Sequence, residues 1–297
     1  MKVSLSVIIP TLNEENNLER CLSSVQWADE VFVVDSGSTD RTAEIAVSRG
    51  ARLVDFKFNG TWPKKYNWSL DNLPFSNEWV LILDADETIM EGAEDEFRRI
   101  CSGRDQQFDG YYINRRFMFM GKWLKHAYYP NWNLRLFRHR LGRFEKLTDS
   151  RTDSGDIEIH EHLILNGKAG QLRGEMEHYA YPDVASFVEK HSRYATWEAH
   201  VMLDNKFKMR TASELLDKRV IRRRRLKVLS RYIPFRAFLR FLYIYFLQLG
   251  FLDGREGFYF ARLHAEYEFL ITCNLFELKH HAPAASDAKE KGEKDHA

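Results

Sequence analysis

The chain has 297 residues, 44% hydrophobic and 29% charged, with a formal net charge of +1. That length holds one large domain, or one domain with an appendage. The balanced charge points to no polyanionic partner, and a mean hydropathy of −0.47 argues against an integral membrane protein. Cys21, Cys101 and Cys273 are far apart and form no CxxC pair, which argues against a disulfide framework or a zinc cluster. The N-terminal apolar run is too short for a signal-peptide core and reads as a first strand, so a cytosolic location is expected.

In chain order, residues 4–9 (SLSVII) predict a first strand and Leu18, Leu22 and Val25 a helix. Residues 30–35 (EVFVVD) predict a second strand. The stretch GSTDRTAEIAVSRG predicts a helix with Ser38 as N-cap, Asp40 in its first turn and Gly50 as its stop. Residues 51–58 and 79–83 predict a third and a fourth strand. Repeated βα units with continuously apolar strands indicate an α/β fold, a mostly parallel sheet covered by helices. Residues 108–178 are rich in aromatics and Arg, and the alternation in NLRLFRH suits a half-buried strand; mixed or antiparallel strands are expected there. From Pro182 the pattern is helical, with Val184, Phe187, Val188, His191 and Tyr194 on one stripe.

In a parallel sheet, ligands bind beyond the carboxyl ends of the strands. Acidic residues fall at three such ends: Glu14 and Glu15 after strand one, Asp35 leading into Ser36-Gly37-Ser38 after strand two, and Asp84 and Asp86 after strand four. On an extended segment, alternate residues point the same way, so Asp84 and Asp86 are expected to face one cation. Mg²⁺ or Mn²⁺ takes one or two protein carboxylates and completes its shell with water and phosphate oxygens. Alone, a D-x-D triplet is equally a solvated acidic turn. Glu87 falls on the other side of the segment and reads as a residue behind the site, or a helix start.

ILDADET also fits the D-x-D-x-T of haloacid-dehalogenase-like phosphatases, whose first Asp is a nucleophile. That motif belongs on a first strand, whereas two βα units precede it here, and GDIEIH at 155–160 lacks the final acid of the partner motif. Neither G-x-G-x-x-G nor a Walker-type loop is present, so phosphate charge must be met by a metal and basic side chains. In GTWPKKYNWSL, Lys64 and Lys65 are donor-phosphate candidates or a solvated basic turn. Arg135 and Arg138 reach a phosphate or face solvent.

LSVIIPTLNEENNLERCLSSV, VFVVDSGSTDRTAEIA and WVLILDADE, in this order and spacing, resemble family 2 glycosyltransferases of the GT-A fold. GYYINRRFMFMGKWLKHAYYPNWNLRLFRH, IHEHLIL and FLDGREGF resemble the branch near lipopolysaccharide-core β-glucosyltransferases. The resemblance covers residues 1–275, most strongly the first 90. It implies transfer of a sugar, with inversion, from a nucleotide donor such as a UDP-linked hexose to a glycan or lipid-linked acceptor of the bacterial envelope. By similarity Pro10, Glu14 and Asp35 line the nucleoside pocket, and Ser36 and Lys65 are further candidates for the donor site. Asp84 reaches ribose or metal, and Asp86 is the main ligand of a divalent metal, Mg²⁺ or Mn²⁺. The general base is expected at Glu161, with Asp153 and Asp156 as rivals. His160 and His178 are metal or diphosphate contacts, or satisfied core histidines.

Residues 206–231 carry 11 Lys/Arg against two acids, and an apolar stretch from Phe241 to Leu252 follows, too short for a membrane span. This combination suits docking on a membrane surface, which places the chain peripherally on the inner face of the cytoplasmic membrane; the alternative is a helical hairpin packed on the domain. The expected organisation is a catalytic domain over 1–205, a helical extension over 206–281 and a disordered tail over 282–297.

Overall fold

The computed structural model describes residues 2–104, 107–146, 162–203 and 235–280. Strands β1 (Val3–Thr11), β2 (Ala28–Asp35), β3 (Arg52–Asp55) and β4 (Trp79–Ile82) alternate with helices α1 (Leu18–Ser24), α2 (Thr42–Ser48) and α3 (Lys65–Asn72). The four strands are parallel and lie in the order β3-β2-β1-β4. The chain therefore builds outward from β1 to β3 and then returns to the other side of β1. That reversal makes the carboxyl ends of β1 and β4 a topological switch point, where a crevice opens.

The near-continuous apolar run of β1 is explained by burial on both faces. Successive side chains alternate between them: Leu5, Val7 and Ile9 pack with α1 and with Phe97 on α4 (Glu94–Cys101), whereas Ile8 packs with Phe32, Tyr66 and Leu70 on the α3 side. The period-2 alternation of a strand thus feeds two cores.

Beyond β4 the sheet continues as β8-β6-β11-β5. Here β8 (Trp132–Arg138) runs antiparallel to β4 and to β6 (Gly110–Phe119), and β11 (Ala169–His178) runs parallel to β6. Strand β5 (Glu87–Ile89) closes the far edge antiparallel to β11, and β7 (Lys122–Trp123) hangs on β6. A separate pair joins β9 (Gly142–Phe144) to β10 (Leu163–Leu165). The aromatic and Arg-rich middle segment therefore supplies the mixed half of the sheet, as its sequence led us to expect.

Several local expectations are corrected. Helix α2 starts at Thr42, whose amide donates to Asp40 Oδ1 at 3.0 Å. Ser38 is engaged by Asp35 instead of capping. Strand β3 stops at Asp55. On α5 (Val184–Leu203) the buried stripe runs through Phe187, His191 and Ala195, while Val184 and Val188 are exposed. The stripe is rotated because α5 packs against a long C-terminal helix, α7 (Gly254–His280).

The C-terminal elements are α6 (Arg236–Leu242), a wide turn at Tyr243–Leu247, a tight turn at Gly250–Asp253 and α7. They share one core with the sheet: Ile244 and Phe260 pack with Phe117 and Phe119 of β6 and with Phe187 of α5. Asp253 ties the hairpin down. Its carboxylate accepts the backbone N–H groups of Lys125, His126 and Ala127 at 2.8–3.0 Å. Among the described residues no single helix is long and apolar enough to cross a membrane. The 205/206 boundary, the basic run 206–231 and the tail 282–297 lie outside the described residues.

Candidate active site

The loops after β1 and β2 are laced together by side chains from both. Asn13, held at φ 57°, donates its amide to Ser38 Oγ at 2.8 Å and accepts the Thr39 amide on Oδ1 at 2.9 Å. The Glu14 amide donates to Thr42 Oγ1 at 2.8 Å. Asp35 is the hub. Its Oδ2 accepts the amides of Gly37 (3.0 Å) and Ser38 (2.7 Å), and its Oδ1 accepts the hydroxyls of Thr11 (2.8 Å) and Ser38 (2.5 Å). Burial alone would raise the Asp35 carboxyl, but the hydrogen bonds from Ser38, Thr11 and Gly37 outweigh it and hold the group below the usual carboxylate range. The turn needs Gly37, whose φ is +87°. Asp35 and Ser36 line a cleft of about 560 Å³ with Asp55, Phe56, Lys57 and Phe58. Pro10 is buried in β1 opposite Val34, beneath this loop pair. Lys65 is fully buried and donates to the Thr11 carbonyl at 2.8 Å, and Lys64 is also buried, so the pair is not a solvated basic turn.

After β4 the chain does not stay extended. The Glu87 amide donates to the Asp84 carbonyl at 2.9 Å, and Glu87 Oε2 accepts the Asp84 amide at 3.0 Å, closing a turn over 84–87. This turn sends the two aspartates to different partners. Asp84 accepts from the Tyr66 hydroxyl on Oδ1 and from Arg135 Nη2 on Oδ2, the latter at 2.5 Å. Arg135 also reaches Glu87 Oε1 at 3.0 Å, and Arg115 reaches the same oxygen at 3.1 Å. Arg135 therefore faces inward, and Glu87 is a fully buried counterion that opens a strand, not a helix. The neighbouring Asp84 and Glu87 carboxylates hold the Arg135 guanidinium well above its ordinary value despite burial.

Asp86 goes the other way. The pairing of β5 with β11 sets Glu87 opposite His178, which carries Asp86 to the same edge. His178 Nε2 lies 3.4 Å from Asp86 Oδ1, and the Tyr179 amide donates to the Asp86 carbonyl at 2.8 Å. Asp86 Oδ1 is buried without a hydrogen-bond partner among the described residues, and so is His178 Nδ1. Burial alone would push the Asp86 carboxyl up, but His178, then Lys190 and Arg115, hold it well below the usual carboxylate range. Glu14 shares this field: burial, reinforced by Asp86 and Asp84, raises its carboxyl, and the hydrogen bond from Asn17 only partly offsets the rise.

The two aspartates differ in their fitness for a divalent cation. An ionised, buried carboxylate oxygen with no donor, beside an imidazole, is a ligand position of the right chemistry, so Asp86 fits. Asp84 fits less well, because Tyr66 and Arg135 engage both of its oxygens. Among the described residues no three His, Cys, Asp or Glu side chains converge as a metal cage. A cation here would draw most of its shell from water and phosphate oxygens.

Pro10, Glu14, Asp35 and Ser36 thus stand at or just beyond the carboxyl ends of β1 and β2, Asp84 and Asp86 follow β4, and Glu14 lies within the field of both aspartates; Lys65 packs against the end of β1. Glu161, Asp153, Asp156 and His160 lie outside the described residues. Sequence reasoning missed Tyr66 and Arg115. In YYINRRF, Arg115 shares its strand face with Ile113 and Phe117, a pattern that marks it as the inward-facing Arg of the pair; Tyr66 carries no local signal.

The sequence pattern of Glycosyl transferase family 2 matches residues 6–155. An uncharacterized glycosyltransferase of Rickettsia typhi is 28% identical over 280 residues, covering 92% of this chain and 87% of the relative. The lipopolysaccharide core biosynthesis glycosyltransferase LpsC of Rhizobium meliloti is 25% identical over 294 residues, covering 93% of each. The crystal structure of S. aureus TarS 1-349 in complex with UDP-GlcNAc is 18% identical over 91% of each chain, with a TM-score of 0.39. With a family match spanning half its length, the chain belongs to glycosyl transferase family 2.

Proposed function

We propose that the chain transfers a hexose, with inversion, from a UDP-linked or similar nucleotide donor to a glycan or lipid-linked acceptor in bacterial lipopolysaccharide or envelope synthesis, working peripherally on the inner face of the cytoplasmic membrane. The observation that carries this reading is that Asp35 ends β2 and that Asp84 and Asp86 follow β4, the two parallel strands that flank β1 at the switch point. The cleft at Asp35, Ser36 and Phe58 would take the nucleoside, with its loop fixed by the hydrogen bonds to Asp35. Pro10 and Lys65 would support that cleft from below, and Glu14 would stand at its inner wall. Asp84, fixed by Arg135 and Tyr66, would orient the ribose side. Asp86 would hold a divalent cation, Mg²⁺ or Mn²⁺, which supplies Lewis-acid stabilisation of the departing diphosphate.

An acceptor hydroxyl is a weak nucleophile and needs a general base. Glu161 is the proposed base: its carboxylate would take the hydroxyl proton as the oxygen attacks the anomeric carbon in line and the bond to the diphosphate breaks. The organisation into a catalytic domain over 1–205, an extension over 206–281 and a tail is part of the same proposal. A phosphatase mechanism through Asp84 finds no support, because Tyr66 and Arg135 hold both of its oxygens.

A thermal-shift series of nucleotide sugars, with and without Mn²⁺, tests the reading. A Mn²⁺-dependent rise in midpoint that disappears in Asp86→Asn is expected. Equal shifts in wild type and variant would overturn the metal assignment, and no shift with any nucleotide sugar would overturn the donor class.

A further inference from the structure

The stretch from Phe235 to Leu252, FRAFLRFLYIYFLQLGFL, contains no acidic residue and two cations, Arg236 and Arg240. In the structure it forms one arm and the tip of an elbow. The segments 236–247 and 250–280 meet at 70° across Gln248 and Leu249. At the tip, Leu247 is 76% exposed, Leu252 54% and Phe246 52%, with Leu249 and Phe251 also exposed. Phe235 and Phe238, at the start of α6, are exposed as well.

This exposure is built into the fold and is not that of a loose end. Leu249 takes a left-handed conformation at φ 59° to make the break. A Cβ on Gly257 would overlap the Gly250 carbonyl oxygen, so the turn is pressed directly onto α7. Asp253 anchors the base of the elbow to residues 125–127. A rigid element that presents large aliphatic and aromatic side chains to water marks an interaction surface.

Charge identifies the occupant. Residues 218–231 (KRVIRRRRLKVLSR), immediately upstream, hold eight Lys/Arg and no acid, and Arg255 and Arg262 are exposed beyond the elbow. Aromatic and aliphatic side chains flanked by cations are what the headgroup boundary of an anionic bilayer accepts. Neither arm is long and apolar enough to span a membrane alone; the two together have the length and composition, but the 70° break points their apolar tip outward as a wedge.

We infer that the elbow at residues 246–252 is a hydrophobic wedge that inserts into the headgroup–acyl boundary of an anionic lipid bilayer. This deepens the proposed peripheral membrane location and rests on it. The wedge is also coupled to the candidate active site: Phe260 of α7 packs on Phe117 with ring centres 5.5 Å apart, and Phe117 packs on His178 at 5.5 Å. Docking through the elbow would hold the Asp86–His178 edge at a fixed orientation to the membrane, where a lipid-linked acceptor lies.

The test is flotation of the full chain with phosphatidylglycerol vesicles and with phosphatidylcholine vesicles. The triple variant Phe246→Ser/Leu247→Ser/Phe251→Ser is run in parallel, with nucleotide-sugar thermal shift as the folding control. Wild type is expected to float with the anionic vesicles and to keep part of that binding at high salt, where the apolar contact remains. The triple variant is expected to partition about tenfold or more weakly with its donor response intact. Equal flotation of the two proteins would overturn the wedge while leaving the membrane location standing. No flotation of wild type with either vesicle would overturn both. If wild type fails to float and the triple variant instead turns a dimer into a monomer on a sizing column, the face joins copies of this chain and the wedge is likewise overturned.

Discussion

Arg135 Nη2 lies 3.0 Å from Glu87 Oε1, joining a guanidinium of β8 to a fully buried carboxylate at the start of β5. The same nitrogen lies 2.5 Å from Asp84 Oδ2, so one cation holds both ends of the turn that separates Asp84 from Asp86. Arg115 completes the arrangement on Glu87 at 3.1 Å. Two cations and two carboxylates balance inside the protein, and the turn geometry depends on that balance.

Removing one partner leaves a buried charge unpaired. Arg135→Met is expected to destabilise the fold by about 3–5 kcal/mol in urea unfolding, the range for breaking a buried ion pair. Donor binding should weaken as well, because Asp84 is then free to turn. A variant with wild-type stability would show that water reaches Glu87 and Asp84 and replaces the guanidinium.

The carboxyl groups predict a pH profile with opposite signs. Asp35 and Asp86 lie below their ordinary values in the folded protein, Asp35 because hydrogen bonds from Ser38 and Thr11 outweigh burial, and Asp86 because His178 and Lys190 do. A depressed carboxyl contributes stability that is complete above its unfolded pKa of about 3.9 and is lost as pH falls through the folded value. Urea midpoints should therefore fall steeply below about pH 4, and Asp35→Asn should flatten that limb. Glu14 is raised by burial, so its ionised form costs stability above the folded pKa. Glu14→Gln keeps an acceptor for Asn17 Nδ2 and should raise the midpoint at neutral pH. A lowered midpoint there would mean that the carboxylate charge is needed.

Asp253 meets three backbone N–H groups, and His126 Nδ1 lies 2.9 Å from its Oδ1, while the residue is almost completely buried. Asp253→Ala strips several buried donors of their acceptor at once. The expected cost is about 3 kcal/mol or more by chemical unfolding, with Asp253→Asn falling between the variant and wild type. An Asp253→Ala protein of wild-type stability would show that water satisfies residues 125–127.

The first half of the fold was legible because its strands are buried on both faces and its helices are short and separated by turns. Leu5, Val7, Ile8 and Ile9 announce β1 without any long-range information. The carboxylates at strand ends were legible for the same reason: charge directly after such a run is conspicuous. What local pattern does not carry is the backbone after β4. Asp84 and Asp86 read as neighbours on an extended segment, but the Asp84–Glu87 turn and the pairing of Glu87 with His178, 91 positions away, divide them between Arg135 and His178. The rotated stripe on α5 has a similar origin, since its buried face is set by α7, more than 50 residues downstream. Ser38 reads as a helix cap because Ser is a good cap, yet Asp35 competes for it from three residues upstream and Asp40 accepts the Thr42 amide instead.

Gly257 predicts a second stability effect in the C-terminal hairpin, through packing. Its helical position faces the Gly250 carbonyl oxygen so closely that a Cβ would overlap that oxygen, and it would stand 2.9 Å from Asp253 Cβ. Both neighbours are fixed: one is backbone, and the other is held by Asp253's hydrogen bonds to residues 125–127. Ordinarily Gly→Ala in a helix is favourable by about 1 kcal/mol. Here overpacking dominates, and Gly257→Ala is expected to cost about 3 kcal/mol in urea unfolding. Amide hydrogen exchange should speed up first across 243–257, because separating the elbow from α7 is the least costly way to relieve the contact. Slower exchange there, or a gain in stability, would show that the turn and α7 stand farther apart in solution.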